Sequence, residues 1–322
     1  MKMSFAKKLR TVALALLLPY GGAWAVQTAG PQIAVTAPRA SKAPLMSVTR
    51  AGSRLVGVGD YGIVLLSDDR GKTWRQARSV ATRSMLTSVC FVGDKLGWAV
   101  GHGGIVLQSR DGGENWTVQH TADGDLALLS VWFGNEQHGI AVGSFGRAIE
   151  TYDGGKSWQE RGLGQGDDRD RHLNQIFPGA GQTLFVAAEA GTVFRSSDAG
   201  KNWKMLKPAY KGSFWNGMML KDGAILIIGM RGNAFRSEDN GDTWQPVNTG
   251  TTQALSGITQ LADGRLVLVG MSGTVLVSKD SGRSFEGRMR EDRLNLTSIA
   301  GGPDGQIVLF GQAGVVSDVI VP

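Results

Sequence analysis

From residue 45 onward, apolar and polar residues alternate in short runs separated by glycine, aspartate, asparagine and serine. Residues 86 to 120 show the unit: "LTSVCFV", "GWAVGH", "GIVLQSR" and "NWTVQH". A period of two sends successive side chains to opposite faces of an extended chain, so each unit predicts four short strands joined by tight turns.

The unit recurs along the chain. "SDDRGKTW" ends at Trp74, "SRDGGENW" at Trp116, "TYDGGKSW" at Trp158, "SSDAGKNW" at Trp203, "SEDNGDTW" at Trp244 and "SKDSGRSF" at Phe285, at intervals of 42, 42, 45, 41 and 41 residues. Ahead of these boxes stand "VGDYGIV", "VGHGGIV", "VGSFGRA", "AAEAGTV", "IGMRGNA" and "VGMSGTV". A seventh copy, "FGQAGVV", carries Gly311 and Gly314 and has no box after it. One four-stranded sheet cannot bury both of its faces, but seven packed side by side around an axis can. The expected fold is an all-β, seven-bladed propeller of four-stranded antiparallel blades over residues 45–322. Blade seven has strands near 295–301, 305–311 and 314–320 and lacks a fourth. The segment "QIAVTAP", residues 32–38 within an N-terminal stretch 26–44, has the length and alternation to pair there and close the ring.

The turn elements admit two ligand readings. Gly57, Gly59 and Gly62 fit a dinucleotide-binding G-x-G-x-x-G, which requires a helix next; here a strand follows, as a hairpin glycine would have it. Asp68 and Asp69 before Gly71 resemble the start of a calcium loop but lack the bidentate acid at its twelfth position. Asp69, Asp111, Asp153, Asp198, Asp239 and Asp280 are therefore expected to accept backbone N–H groups inside the turn between third and fourth strands. Trp74, Trp116, Trp158, Trp203 and Trp244 are expected to pack on their own blades.

Composition adds a destination. Glycine is abundant at 47 residues and proline scarce at 9, which suits many tight turns. Lys2, Lys7, Lys8 and Arg10 precede the apolar "TVALALLLPY" and the A-x-A of Ala23 to Ala25, which reads as a secretory signal over residues 1–25. The mature chain is expected to begin near Val26 as an exported monomer, periplasmic in a Gram-negative cell. The formal charge of +6 includes those four bases; without them 30 basic residues face 28 acidic ones, so a nucleic-acid role loses its support. The single cysteine, Cys90, lies in an apolar run, permits no intrachain disulfide and is expected to be buried; no cysteine at the cleavage point means no lipid anchor.

The boxes resemble the Asp-box, or BNR repeat, of sialidases, some glycosidases and non-enzymatic propellers. A sialidase would add a Phe/Tyr-Arg-Ile-Pro motif, an arginine triad and a tyrosine nucleophile. The motif is absent, and the mature tyrosines are Tyr61, Tyr152 and Tyr210. "GDDRDRH", Gly166 to His172, is the densest cluster of carboxylates and reads as a hydrated loop; His102, His120, His138 and His172 have no metal-ligand spacing, and no G-x-S-x-G occurs. No catalytic residue, metal or cofactor is expected. Binding falls instead to the propeller end formed by the turns between second and third strands and by the blade-to-blade connections. That end is expected to gather Arg75, Arg78 and Arg83, then Arg169, Arg171 and His172, then Lys207, Lys211, Phe214 and Trp215, with His102, Phe145, Arg147 and Arg231 from the turns. Asp123, Asp125 and Glu189 would offset the charge. Basic residues beside aromatics suit an acidic, partly apolar protein partner.

The whole pattern, V-G-x-x-G-x-[VI] followed by [ST]-x-D-x-G-x-[TSN]-W over about 45–317, resembles the photosystem II stability and assembly factors of chloroplasts and cyanobacteria and their bacterial relatives. The resemblance implies a non-enzymatic propeller that helps assemble an envelope membrane complex. In the photosynthetic members an arginine-rich surface engages a reaction-centre subunit; other bacterial relatives accompany RND-type transporters. The competing reading is a carbohydrate-active or glycan-binding propeller.

Overall fold

A computed structural model describes residues 32–320 except 123, 125, 165, 167, 168, 303 and 304, with backbone alone for 317–320. The expected signal at 1–25, residues 26–31, and the carboxylates Asp123, Asp125, Asp167 and Asp168 lie outside the described residues.

Seven sheets follow one another in chain order, antiparallel except that a short strand, Ser79–Val80, adds in parallel to the outer strand Asn115–His120 of the second. Blade one comprises Leu45–Ala51, Arg54–Gly59, Val64–Ser67 and Arg75–Gln76. The other blades begin with Leu86–Val92, Leu128–Phe133, Leu173–Pro178, Phe214–Met219, Leu255–Gln260 and Leu296–Gly301. Each first strand lies against those of both neighbouring blades, and that of blade seven lies against that of blade one, so the ring closes on seven. Among the described residues only 3-10 turns are helical, and no helix is long and apolar enough to cross a membrane.

Burial tracks position within the blade. Second strands such as Ile225–Gly229 and Leu266–Gly270 are buried at every residue, whereas fourth strands such as Gln159–Arg161 and Glu286–Met289 are exposed at every residue. Neighbouring blades cover a second strand on both faces, so "ILIIG" and "LVLVG" are unbroken apolar runs. The core accordingly sits between blades: Val56, Val58 and Leu66 of blade one pack with Leu86, Val89 and Leu107 of blade two.

The glycines of the V-G-x-x-G turn serve two purposes. The first is in extended backbone, and a Cβ on Gly59, Gly101, Gly143, Gly229, Gly270 or Gly311 would lie 2.0–2.2 Å from the carbonyl oxygen that precedes its own first strand. The last has positive φ, +69° at Gly62 and +68° at Gly146, which side chains with a Cβ resist. A 3-10 turn and then a strand occupy this place, so there is no helix N-terminus to bind a pyrophosphate.

Residues 32–38 do not complete blade seven. They form no strand, and the seventh sheet has three, Leu296–Gly301, Gln306–Gly311 and Gly314–Ile320, among the described residues. The segment crosses the connection from blade one to blade two instead. Ala34 N–H donates to the Val80 carbonyl at 2.9 Å and Ala37 N–H to Gln76 Oε1 at 3.1 Å, while Gln76 Nε2 and Arg83 Nε donate to the Val35 and Ile33 carbonyls. The outer strand of blade one is only two residues long, and its polar groups find partners in this segment. Blade seven meets blade one through Thr297 Oγ1, which donates to the Leu45 carbonyl at 2.5 Å, and through Arg50 Nη2, which donates to the Gly301 carbonyl at 2.6 Å. Trp74 stands edge-on to Phe310 across the same seam, ring centres 5.5 Å apart. Bonds of the first kind recur at other seams, from Thr87 to Leu128, Asn174 to Phe214 and Ser256 to Leu296.

Candidate partner-binding face

The two ends of the ring differ in chemistry. At the box end Ser67 Oγ donates to Asp69 Oδ1 at 2.8 Å and accepts the Gly71 N–H at 2.7 Å. Asp69 accepts the Thr73 N–H at 2.8 Å and its hydroxyl at 2.6 Å, and Trp74 Nε1 donates to the Gly71 carbonyl at 3.0 Å. The carboxylates of Asp111, Asp153, Asp198, Asp239 and Asp280 accept the same pair of bonds from the residue four places on. Side-chain and backbone hydrogen bonds hold Asp69, Asp153, Asp198 and Asp239 down to about 2. Burial pushes Asp111 and Asp280 upward, yet the bonds prevail: both are lowered, Asp280 to about 2.

The boxes also join blades. A Cβ on Gly71 would meet Val308 of blade seven, and one on Gly200 would meet Ile140 of blade three. Gln108 Nε2 donates to the Gly154 carbonyl at 2.7 Å, Arg195 Nη1 to that of Asn240 at 2.6 Å and Arg236 Nε to that of Ser281 at 2.9 Å, each from the preceding blade. The box tryptophans divide between packing on their own blades and filling the seams. Trp74 reaches Phe310, Trp203 joins the cluster shared by blades three and four, and Trp244 that of blades four and five; Trp116 and Trp158 stand edge-on to Phe91 and Phe133 of their own blades.

Several arginines at this end are matched to acids, whereas the exposed box lysines Lys72, Lys156, Lys201 and Lys279 pair with no carboxylate among the described residues. Arg54 and Arg75 share Asp68 and Glu114, and Arg236 bonds Asp222 and Glu238. This moves two expected residues: Arg75 begins the fourth strand at the box end, and Arg78 lies 3.7 Å from Glu114. Tyr152 donates its hydroxyl to Glu150 at 2.7 Å, and Glu150 also meets His138 Nε2 at 2.8 Å and Arg161 Nε at 2.5 Å. Burial first, then Glu150, push the Tyr152 phenol up, opposite to what a tyrosine nucleophile needs. Among the described residues no group of three or more His, Cys, Asp or Glu side chains could hold a metal ion. Cys90 is half-buried against the core of blades two and three, and desolvation pushes its thiol up to about 12.

At the other end each turn meets the connection that leaves its blade. Gly104 N–H donates to the Leu126 carbonyl at 2.9 Å, Gly146 N–H to Arg171 at 2.8 Å and Gly191 N–H to Gly212 at 2.6 Å. Phe145, 59% exposed, lies 4.9 Å from the His172 ring, and the Gly146 contact brings Arg169 and Arg171 beside them. Tyr210 donates to the Met230 carbonyl at 3.0 Å, which places Lys211 and Arg231 about one tyrosine. Glu189 accepts the His172 N–H. His102 and Lys207 are exposed. Arg147 turns inward: it is 16% exposed, pairs with Glu160 at 2.7 Å and lies beside His120, whose pKa is lowered by burial and then by Arg147. Phe214 is fully buried as the first residue of its strand, and Trp215 is half-buried behind it. Among the described residues, Arg39, Arg83, Arg169, Lys211 and Arg231 at this end pair with no carboxylate.

Sequence reasoning missed the part of this face beside blade one, where Tyr61, Val35 and Arg39 line a pocket with Arg83. The signal was available in the aligned turns. Tyr61 holds the place that Phe145 and Arg231 hold in theirs, all three with φ of 53–56°.

The family model for the photosynthesis system II assembly factor YCF48 matches residues 46–123 and 117–270. A comparison with curated proteins finds no match. Among solved structures, "YCF48 bound to D1 peptide" superposes with a TM-score of 0.70 at 19% identity, covering 90% of this chain and 98% of that one. YCF48 from Cyanidioschyzon merolae gives 0.69 at 16% identity, covering 85% and 94%. A streptogramin B lyase structure gives 0.72 at 12% identity, covering 87% and 94%, so superposition alone speaks for the fold and not for an activity. The family match spans well over half of the chain, and with seven blades, their boxes and their V-G-x-x-G turns in place the protein belongs to the YCF48-type photosystem II assembly factor family of BNR-repeat propellers.

Proposed function

We propose that this protein is an exported, monomeric, non-enzymatic binding factor that assists assembly or stability of a membrane protein complex, and that it holds a segment of one subunit on the connection end of its ring. Family membership and the solved relative bound to a D1 peptide support the reading. The single observation that carries it is the asymmetry of the two ends. Box-end arginines such as Arg54, Arg75 and Arg236 are spent on carboxylates and on neighbouring blades, whereas the connection end offers the arginines Arg83, Arg169 and Arg231, with Lys211, beside exposed Tyr61 and Phe145. Cations beside aromatics complement an acidic, partly apolar peptide.

The test is affinity purification of the tagged protein from gently solubilised, cross-linked envelopes of its own cell, followed by mass spectrometry. Recovery of one membrane complex is expected, and its composition distinguishes a photosystem from a transporter of the RND type. Recovery of free protein or glycan alone would overturn the reading in favour of a carbohydrate-binding propeller.

A further inference from the structure

A pocket of about 620 Å³ opens on the connection end beside blade one, between the extended segment 32–38 and the first V-G-x-x-G turn. Val35, Ala37, Pro38 and Tyr61 make it apolar. Val35 is 61% exposed, Tyr61 68% and the adjacent Ile33 55%. Large apolar side chains left in water singly are ordinary, but several that converge mark a contact surface. The volume falls in the range of ligand sites.

Arg39 and Arg83 stand at the rim. Arg83 uses one N–H on the Ile33 carbonyl, and neither guanidinium has a carboxylate partner among the described residues. Residues 1–31 contain no Asp or Glu that could serve. Arg54, Arg75, Arg236 and Arg290 are by contrast all paired with acids. An unmatched guanidinium on an apolar wall is built to take a carboxylate in bidentate fashion. Tyr61 adds a second sign of use. Its φ of 54° is the one the repeat turn gives to Phe145, Ala190, Arg231 and Ser272 as well, so the backbone is common to the blades, and the large exposed ring over the pocket is particular to this one.

We propose that this pocket receives an extended segment of the partner polypeptide, with small apolar side chains against Val35, Pro38 and Tyr61 and a carboxylate held by Arg39 and Arg83. The proposal rests on the binding-factor reading and specifies where on the face the contact is made. The probe is a library of random peptides displayed through their carboxyl termini, so that only side chains supply a carboxylate, and selected on the purified protein. Selected peptides are then measured by fluorescence anisotropy against Arg39→Glu and Tyr61→Gly. Peptides combining apolar residues with an acid are expected, each variant weakening them at least about tenfold. Tyr61→Gly should do so without lowering the melting temperature, and Arg39→Glu should select basic peptides in place of acidic ones. Recovery of no peptide, of peptides without an acid, or equal affinity for all variants would overturn the proposal. Failure of the pocket is separable from failure of the broader reading. If the double variant still recovers the membrane complex at wild-type yield, only the pocket fails; if the wild type recovers none while the pocket binds its peptides, only the assembly role fails.

Discussion

A single carbon atom distinguishes the first glycine of each V-G-x-x-G turn from what the backbone there tolerates. A Cβ on Gly101 would lie 2.0 Å from the Met85 carbonyl oxygen, with Leu86 Cα at 3.0 Å, and both belong to backbone fixed by pairing. Gly101→Ala is expected to destabilise the protein by about 1–3 kcal/mol, the usual cost of overpacking, as read by urea unfolding; an unchanged midpoint would mean that the turn can shift freely. The repetition of this glycine was plain in the sequence, but its reason was not. Positive φ accounts for Gly62 and Gly146, whereas close approach accounts for Gly59 and Gly101, and only coordinates tell the two apart. Phe214 marks a similar limit. It follows a loop rich in Lys and Tyr, yet it opens a first strand and is fully buried, because no local pattern sets where a connection stops and a strand begins.

The box is the element most fully legible in the sequence, since its bonds join residues two and four places apart and depend on nothing distant. Its pH response follows from the same locality. Hydrogen bonds to the ionised carboxylate depress the folded-state pKa of Asp69, Asp153, Asp198, Asp239 and Asp280 to about 2. An unfolded aspartate titrates near about 3.9, so the contribution is fully present above that pH and is lost as pH falls through about 2. The urea midpoint is expected to drop steeply from about pH 4 toward pH 2. Asp153→Asn should start lower and fall less steeply, and parallel curves for the two proteins would show that this box has no part in the acid response. What the element does between blades was not legible. The bonds from Gln108 to Gly154 and from Arg236 to Ser281 span 46 and 45 residues, and they turn a local hairpin into a fastening.

At the scale of the ring, seven units could be counted from the repeat, but the seam could not be placed. The missing fourth strand of blade seven invited a strand from the other end of the chain, and residues 32–38 were the only alternating run available. Gln76 of blade one's short outer strand and Val80 of the strand that adds to blade two's sheet compete for them, and win. Closure rests instead on Thr297 to Leu45, Arg50 to Gly301 and Trp74 against Phe310, contacts up to 252 residues apart that no periodicity reveals. The two modes of closure predict opposite rankings. Removing residues 32–38 loses a few hydrogen bonds at about 0.5–1.5 kcal/mol each, but releases seven residues whose ordering costs about 1–2 kcal/mol apiece, so the net change should be small. Phe310→Ala empties a fully buried site at the seam and should cost about 3–5 kcal/mol. Urea unfolding of the two proteins decides between them. A deletion that destabilises more than Phe310→Ala would restore the N-terminal segment as the element that locks the ring, whereas the reverse order assigns that role to blades one and seven packing face to face.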